Sequence, residues 1–311
     1  MKKDSKIYVA GHRGLVGSAI EKMLGKKGFT NIIKKTSYEL DLRNQSDVEK
    51  FFKKEQPEFI FLAAAKVGGI EANNRYPAHF IYDNIMIQTN VIHHAYKYGA
   101  KKLLFLGSSC IYPKQCPQPI KEEYLLSGPL ESTNSAYAIA KISGITMCQA
   151  YNRQYGTEFI SCMPTNLYGP HDNFDLRTSH VLPALLRKCY VAKKKNLPNI
   201  TVWGTGSPYR EFLYVDDLAE AALFLMQHYS KDEIINIGTG SDISIKQLAE
   251  KIKYLVQFEG DILFDQSKPD GTPKKQLNIA KIKHLGWQPA ISLDEGLRKT
   301  LDWCVGNKIF D

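Results

Sequence analysis

Short apolar runs alternate with longer stretches whose apolar residues recur every three or four positions. Ile7–Ala10 reads as a strand, and Leu15–Gly25 as a helix with Val16, Ala19, Ile20, Met23 and Leu24 on one face. Ile32-Ile33 is a weak second strand, followed by a helix over Gln45–Lys54. Phe59–Ala64 does not alternate, as expected of a strand buried on both faces. A helix over Tyr82–Tyr98, a strand over Lys102–Gly107, a long helix over Ala136–Tyr155 and a strand over Phe159–Met163 complete the first half. This βαβ rhythm predicts an α/β fold, a doubly wound parallel sheet with helices on both faces.

After Pro170 the rhythm loosens. Val181–Ala192 reads as helical, Asn199–Trp203 as extended, Val215–Tyr229 as helical and Glu233–Ile237 as a strand running into Gly238-Thr239-Gly240. Ser244–Val256 is a further helix, Ser267–Pro273 a loop, and the last helix starts at Leu293. The expected division is a nucleotide-binding domain over 1–170, with a return around 205–245. A smaller, discontinuous lobe over 171–311 would bind substrate.

Composition narrows the class without deciding the function. In 311 residues, 43% are apolar and 23% charged, an ordinary globular balance. No run approaches the ~18 apolar residues of a membrane span, and the N-terminus lacks a signal peptide's apolar stretch. We therefore expect a cytoplasmic protein with no membrane association. Six scattered cysteines without a CxxC speak for reduced thiols, not for a disulfide framework or a metal site. The net charge of +9 is spread along the chain, and its densest cluster, Lys193-Lys194-Lys195, ends an amphipathic helix. No nucleic-acid partner is expected from that pattern; an anionic small substrate suits it as well.

"GHRGLVG", Gly11 to Gly17, lies between the first strand and the first helix. Glycines there permit a tight turn and let backbone N–H groups approach a pyrophosphate at a helix N-terminus, the Rossmann arrangement. The GxxGxxG spacing is that of short-chain dehydrogenase/reductases. Readers of NAD carry an acid after the second strand, for the ribose hydroxyls. Here Lys34-Lys35-Thr36-Ser37 precede the first acid, Glu39. Arg13 with Lys34 or Lys35 facing a 2′-phosphate favours NADP; alternatively the lysines are merely solvated.

"YAIAK" sets Tyr137 and Lys141 on one helix face. A free tyrosine, with pKa ~10, is a poor acid–base at neutral pH. A nearby ammonium and a nicotinamide cation would draw it toward phenolate. Ser108, at the end of a strand upstream, is placed to share a substrate carbonyl oxygen with Tyr137. Together the three point to hydride transfer.

Longer blocks carry a resemblance. "LAAAKVGGI", "GSSCIYP", "YAIAK", "MPTNLYGPHDNF", "SHVLPALL", "REFLYVDDLA", "SKPDGTPKKQLN" and "LGWQPAISLDEGL" resemble the GDP-L-fucose synthase family of the extended short-chain dehydrogenase/reductases, from Ile7 to about Leu297. The resemblance implies 3,5-epimerisation and NADPH-dependent 4-keto reduction of GDP-4-keto-6-deoxy-D-mannose by a homodimer. It implies a cofactor site formed by Gly11, His12, Arg13, Gly14, Leu15, Val16, Gly17, Ser37, Asp41, Leu42, Ala64, Leu106, Gly107, Ser108, Ser109, Lys141, Pro164, Thr165, Asn166, Leu167 and His180. Catalysis would fall to Ser108, Cys110, Tyr137, Lys141 and His180, and the GDP-sugar to Lys188, Trp203, Arg210 and Asp270. Two positions depart from the family's usual pattern. Lys188 and Ser37 both stand where relatives tend to carry arginine.

By the same resemblance Cys110 is the base for the protons on C3 and C5, and His180 donates on the other face. Related 4,6-dehydratases place a glutamate where Cys110 stands. A thiol of pKa ~8.5 is only slightly ionised at neutral pH, and His180 as imidazolium would lower that value. If the segment is extended, Ser108 and Cys110 project to one side. Taken alone, Cys110 could be a packed small hydrophobe, His180 a helix cap exchangeable with His171, and Trp203 a core residue. Cys116, Cys148, Cys162, Cys189 and Cys304 are read as packing residues.

Overall fold

The computed structural model describes residues 1–268 and 270–311; Pro269, inside the loop expected over 267–273, lies outside the described residues. Among the described residues, twelve strands and ten α-helices follow one another. The first half contains β1 (Ile7–Ala10), α1 (Leu15–Lys26), β2 (Ile32–Ile33), α2 (Gln45–Glu55), β3 (Phe59–Leu62), α3 (Ile70–Arg75), α4 (Pro77–Lys97), β4 (Lys102–Leu106), α5 (Ser135–Tyr155) and β5 (Glu158–Pro164). The second contains β6 (Asn166–Tyr168), α6 (Val181–Lys194), β7 (Asn199–Trp203), β8 (Tyr209–Tyr214), α7 (Val215–His228), β9 (Ile235–Ile237), β10 (Asp242–Ser244), α8 (Ile245–Val256), β11 (Asp261–Asp265), β12 (Lys274–Lys275), α9 (Ala280–His284) and α10 (Leu293–Gly306).

Six strands form a parallel sheet in the order β2-β1-β3-β4-β5-β9. All four residues of β1 and all five of β4 are buried, because helices cover both faces. The doubly wound fold expected from the apolar runs is present. Its strand order reverses at β1, between β2 and β3, and in such sheets ligands lie beyond the carboxyl ends of the strands.

A smaller sheet, β10-β8-β12 with β6 alongside β8, and a β7–β11 pair form the rest. β8 runs between two cores: Leu213 packs with the large one, while Phe212 and Tyr214 pack with the second. The tail of the chain divides in the same way. Leu277, Ile279, Ile282 and Trp287 join the first core; Leu297, Cys304 and Phe310 join the second.

Four short strands, β6, β8, β10 and β12, together with β11, α3 and α9 were not marked by the periodicity. Segments of two to six residues carry too few apolar positions for a period, and pairing partners define them instead. One buried carboxylate draws the small sheet together. Glu211, on β8, has no solvent exposure. It accepts backbone N–H bonds from Thr239 (2.6 Å), Gly240 (2.7 Å) and Leu277 (2.8 Å). A side chain at Gly238 would start 2.2 Å from its Oε1, so only glycine fits there. The six cysteines are unpaired. Among the described residues, no helix is long and apolar enough to cross a membrane.

Candidate active site

The turn after β1 is built on backbone contact. Gly11 has φ +86°, and a Cβ there would lie 2.7 Å from the Ala64 nitrogen. At Gly17 a Cβ would sit 2.1 Å from the Gly11 carbonyl oxygen. Those two glycines let α1 and the loop after β3 close on the turn. Gly14 is different: its nearest neighbour would be Gly11 O at 3.6 Å, so the protein itself leaves room for a side chain. Gly14 is also the N-cap of α1, with no side-chain cap and no acid in the first turn. Free N–H groups, a positive helix end and an open approach fit an anionic pyrophosphate.

Around the expected 2′-phosphate position, Lys34 pairs with Glu21 at 2.6 Å and Lys35 with Glu39 at 3.4 Å. Both lysines therefore follow the solvated reading. Arg13 is exposed and has no ion-pair partner among the described residues. Ser37 is exposed, and Asp41 is held by Arg43 at 2.9 Å.

β4 delivers Ser108 and Cys110. Gly107 N–H donates to Cys162 O at 2.9 Å, and a Cβ there would strike Met163 sulfur at 2.4 Å. The chain does not stay extended. Ser109–Ile111 form a 3₁₀ turn, and Ser108 Oγ accepts the Cys110 N–H at 3.3 Å. This replaces the expected strand alternation: a short turn, not a pleat, sets Ser108 and Cys110 together. Farther on, Tyr112 Oη donates to Asn236 Oδ1 at 2.6 Å, which ties this loop to β9.

α5 brings Tyr137 and Lys141 onto the same wall. Lys141 is 3% exposed and donates from Nζ to Leu106 O at 2.8 Å. Its ammonium also lies 4.9 Å from the Phe105 ring centroid and 5.8 Å from that of Tyr137. Burial lowers its pKa to about 8. Tyr137 moves opposite to expectation. Burial raises its pKa, the neighbouring Cys110 adds to that, and the Ser108 hydroxyl opposes it. Desolvation outweighs the Ser108 hydrogen bond, and Tyr137 holds its proton.

His180 is the N-cap of α6 and is exposed to solvent. Gly69 positions that segment: its N–H donates to Thr178 O at 3.0 Å, and a Cβ would be 2.7 Å from Ser179 O. Crowding by protein and then the charge of Lys275 lower the His180 pKa. That direction disfavours the imidazolium expected to activate Cys110. The Cys110 thiol is buried and its pKa raised by that burial. The opposing influences are Lys275 first, then the Ser108 hydroxyl and Lys141. Lys275 was missed in the sequence, where the Lys274-Lys275 pair is indistinguishable from surface charge.

The substrate candidates fall into two neighbouring groups. Arg210 lies on β8 beside Lys275, its register partner on β12. Its pKa is lowered by burial, which the charge of Asp270 opposes. Asp270 accepts from Thr205 N at 2.7 Å and from Thr205 Oγ1 at 2.8 Å. A Cβ on Gly204 would lie 2.1 Å from Asp270 Oδ1. Trp203 is not a core residue: it is 49% exposed, with Lys268 Nζ 5.5 Å from its ring centroid. Lys188 is farther back, donating to Thr201 O at 2.7 Å on β7.

Residues 7–238 match the model of the NAD dependent epimerase/dehydratase family. GDP-L-fucose synthase 1 of Arabidopsis thaliana is 59% identical over 98% of this chain and 94% of its own. GDP-L-fucose synthase of Escherichia coli K12 is 50% identical over 97% of both chains. The crystal structure of a GDP-L-fucose synthetase from Naegleria fowleri bound to NADP superposes with a TM-score of 0.92. It is 33% identical and covers 99% of this chain and 96% of that one.

Proposed function

The chain belongs to the NAD dependent epimerase/dehydratase family, and from that premise we propose that it makes GDP-L-fucose from GDP-4-keto-6-deoxy-D-mannose. The reaction inverts C3 and C5 of the hexose and then reduces the C4 ketone with NADPH. The observation that carries the epimerase half is a cysteine beside the Ser108 hydroxyl at the end of β4, within reach of both Lys141 and Lys275 in charge. A ketone reductase needs no such thiol.

A C–H bond next to a ketone is acidic because its electrons can move to the ketone oxygen. Ser108 and Tyr137, both donors, receive that developing charge. Cys110 as thiolate removes the proton and the enolate forms; a proton then returns to carbon from the opposite face. His180 is the donor there. His180 takes its proton from solvent as negative charge on the sugar raises its pKa, and Cys110 returns its proton to solvent before the second inversion. After both inversions the Tyr137 phenol, protonated in this environment, gives its proton to the C4 oxygen. NADPH, when bound, supplies the hydride to C4. Its pyrophosphate would rest on the α1 N-terminus, its ribose on Lys141, and Arg13 would face the 2′-phosphate.

Arg210 would take the substrate pyrophosphate, with Lys188, Trp203 and Asp270 completing the nucleotide site. Residues 1–170 and the 205–245 return would form the cofactor domain, and the remainder mainly the substrate lobe. Homodimerisation would use α4 and α5, which carry the exposed apolar residues Tyr82 and Ile139. Unpaired cysteines, one of them a base, suit a reducing compartment, and we assign the protein to the cytoplasm.

The test is turnover. GDP-4-keto-6-deoxymannose and NADPH should yield GDP-L-fucose with matching loss of absorbance at the reduced-nicotinamide band. A reduced product with unchanged C3 and C5 configuration would make the protein a simple 4-reductase.

A further inference from the structure

Lys275 has a fixed backbone and a free charge. Pairing of β12 with β8 sets Lys274 opposite Tyr209 and Lys275 opposite Arg210. Just beyond it, Gln276 N–H donates to Gln118 Oε1 at 2.9 Å, Gln276 O accepts from Ile120 N–H at 2.7 Å, and Leu277 N–H donates to Glu211. The two lysines then diverge. Lys274 forms an ion pair with Asp242 at 3.1 Å on one face. Lys275 projects with Arg210 from the other, and its ammonium has no hydrogen bond or ion pair among the described residues.

A half-buried ammonium without a carboxylate is a costly arrangement unless another negative charge is to occupy the pocket. The acid whose charge acts on it, Glu131, is already bound to Lys114 at 3.0 Å. The groups that face Lys275 are Cys110 and Cys116 from the loop after β4, Arg210 from β8, Glu131, and His180 ahead of α6. Those that face Cys110 are Lys275, Ser108, and Tyr137 and Lys141 from α5. Lys141 is committed to Leu106 O, and Lys275 acts on Cys110 more strongly than Lys141 does. Burial lowers the Lys275 pKa, and a negative charge on Cys110 opposes that and favours the ammonium.

We propose that Lys275 is a positioning residue that makes Cys110 a base: its ammonium stabilises the thiolate that takes the C3 and C5 protons. The inference rests on Cys110 being that base. Burial keeps Cys110 chiefly as the thiol in the resting site; the ammonium enlarges the thiolate fraction that forms when the thiol proton leaves to solvent. When the sugar is in place, the thiolate forms S–H from the substrate C–H, and the C–H electron pair becomes the enolate stabilised by Ser108 and Tyr137. Lys275 gives up no proton in this step. Its register with Arg210 also places it next to the side chain expected on the pyrophosphate, toward the sugar.

The test uses Lys275→Met and Lys275→Arg in the NADPH-bound enzyme. Two pH profiles are recorded between pH 6 and 10. One is the alkylation of Cys110 by iodoacetamide, resolved by peptide mass; the other is solvent deuterium entry at C3 and C5 of GDP-4-keto-6-deoxymannose. Removing a nearby positive charge should shift both profiles to higher pH and slow both reactions at neutral pH by about tenfold or more, with convergence at the basic end. Lys275→Arg should restore most of the rate. Retained tryptophan quenching by NADPH verifies the fold of each variant.

An unshifted Cys110 alkylation profile in Lys275→Met, with only a raised KM for the GDP-sugar, would overturn the proposal and leave the charge to the phosphates. Cys110→Ser separates the two levels. Normal deuterium entry in that variant would remove Cys110 as the base. Loss of entry there, together with unshifted profiles in Lys275→Met, would remove only the role of Lys275.

Discussion

Gly14 and Gly17 occupy the same seven-residue loop, yet the structure separates their roles. At Gly17 an alanine Cβ would lie 2.1 Å from Gly11 O, 2.5 Å from Gly11 C and 2.8 Å from His12 Cα, all backbone atoms. Relief requires α1 to move off the loop, and overpacking of this kind costs about 3 kcal/mol. At Gly14 the backbone is extended, φ −82° and ψ 171°, and the nearest atom would be 3.6 Å away. Alanine there should alter stability by less than about 1 kcal/mol, since the loss of an N-cap glycine and the stiffer unfolded chain offset one another. The cofactor, however, must approach over that position. Displacing the pyrophosphate by a methyl group forfeits a charge-assisted N–H bond of ~1.5–3 kcal/mol, roughly a tenfold to hundredfold loss of affinity. Thermal unfolding and NADPH titration of Gly14→Ala and Gly17→Ala read the two effects separately. Gly17→Ala should melt about 5 °C lower or more, while Gly14→Ala should melt like the parent and bind weakly. Full NADPH affinity in Gly14→Ala would refute the assignment of the α1 N-terminus to the pyrophosphate.

Three further outcomes follow from other parts of the site. Lys141, with its pKa lowered to about 8, binds its proton less tightly in the folded state than unfolded, where the value is near 10.5. Its burial penalty is therefore complete below pH 8 and is relieved as pH rises to 10.5, a gain of about 3 kcal/mol. The difference in urea stability between the parent and Lys141→Met should grow by about that amount across the window; a constant difference would contradict a charged, desolvated Lys141. Tyr137→Phe should reduce C4 reduction at least a hundredfold while deuterium still enters C3 and C5, as seen by NADPH consumption and mass spectrometry. If the proposed homodimer forms through α5, Ile139→Glu, which puts a charge on that helix's exposed face, should halve the mass seen by light scattering; an unchanged mass would remove α5 from the interface.

Much of the parallel sheet and its helices was legible because its physics is local. β3 and β4 are buried on both faces, so their apolar runs stand out, and Gly11 and Gly17 are needed for backbone approach. The YAIAK spacing likewise puts Tyr137 and Lys141 on one helix wherever that helix packs. What escaped the sequence depends on neighbours far along the chain. β12 is two residues long and exists through β8; nothing in Lys274-Lys275 says that one lysine meets Asp242 and the next stands beside Arg210 and near Cys110. Protonation states escaped for the same reason. Tyr137, Cys110 and His180 are governed mainly by burial, which residue identity and spacing do not reveal. Glu211 looked like one acid in "REFLYVDD", although three N–H groups from two distant loops converge on it.

The central claim is that Cys110 removes protons from carbon before the ketone is reduced. The most direct measurement is turnover of GDP-4-keto-6-deoxymannose with NADPH in D₂O by the parent enzyme and by Cys110→Ser, with the sugar examined by mass spectrometry and NMR. The parent should give GDP-L-fucose carrying solvent deuterium at both C3 and C5. Cys110→Ser should bind NADPH normally and leave both positions protonated and uninverted. Deuterium at C3 and C5 in the Cys110→Ser product would contradict the account and return Cys110 to the role of a packing residue.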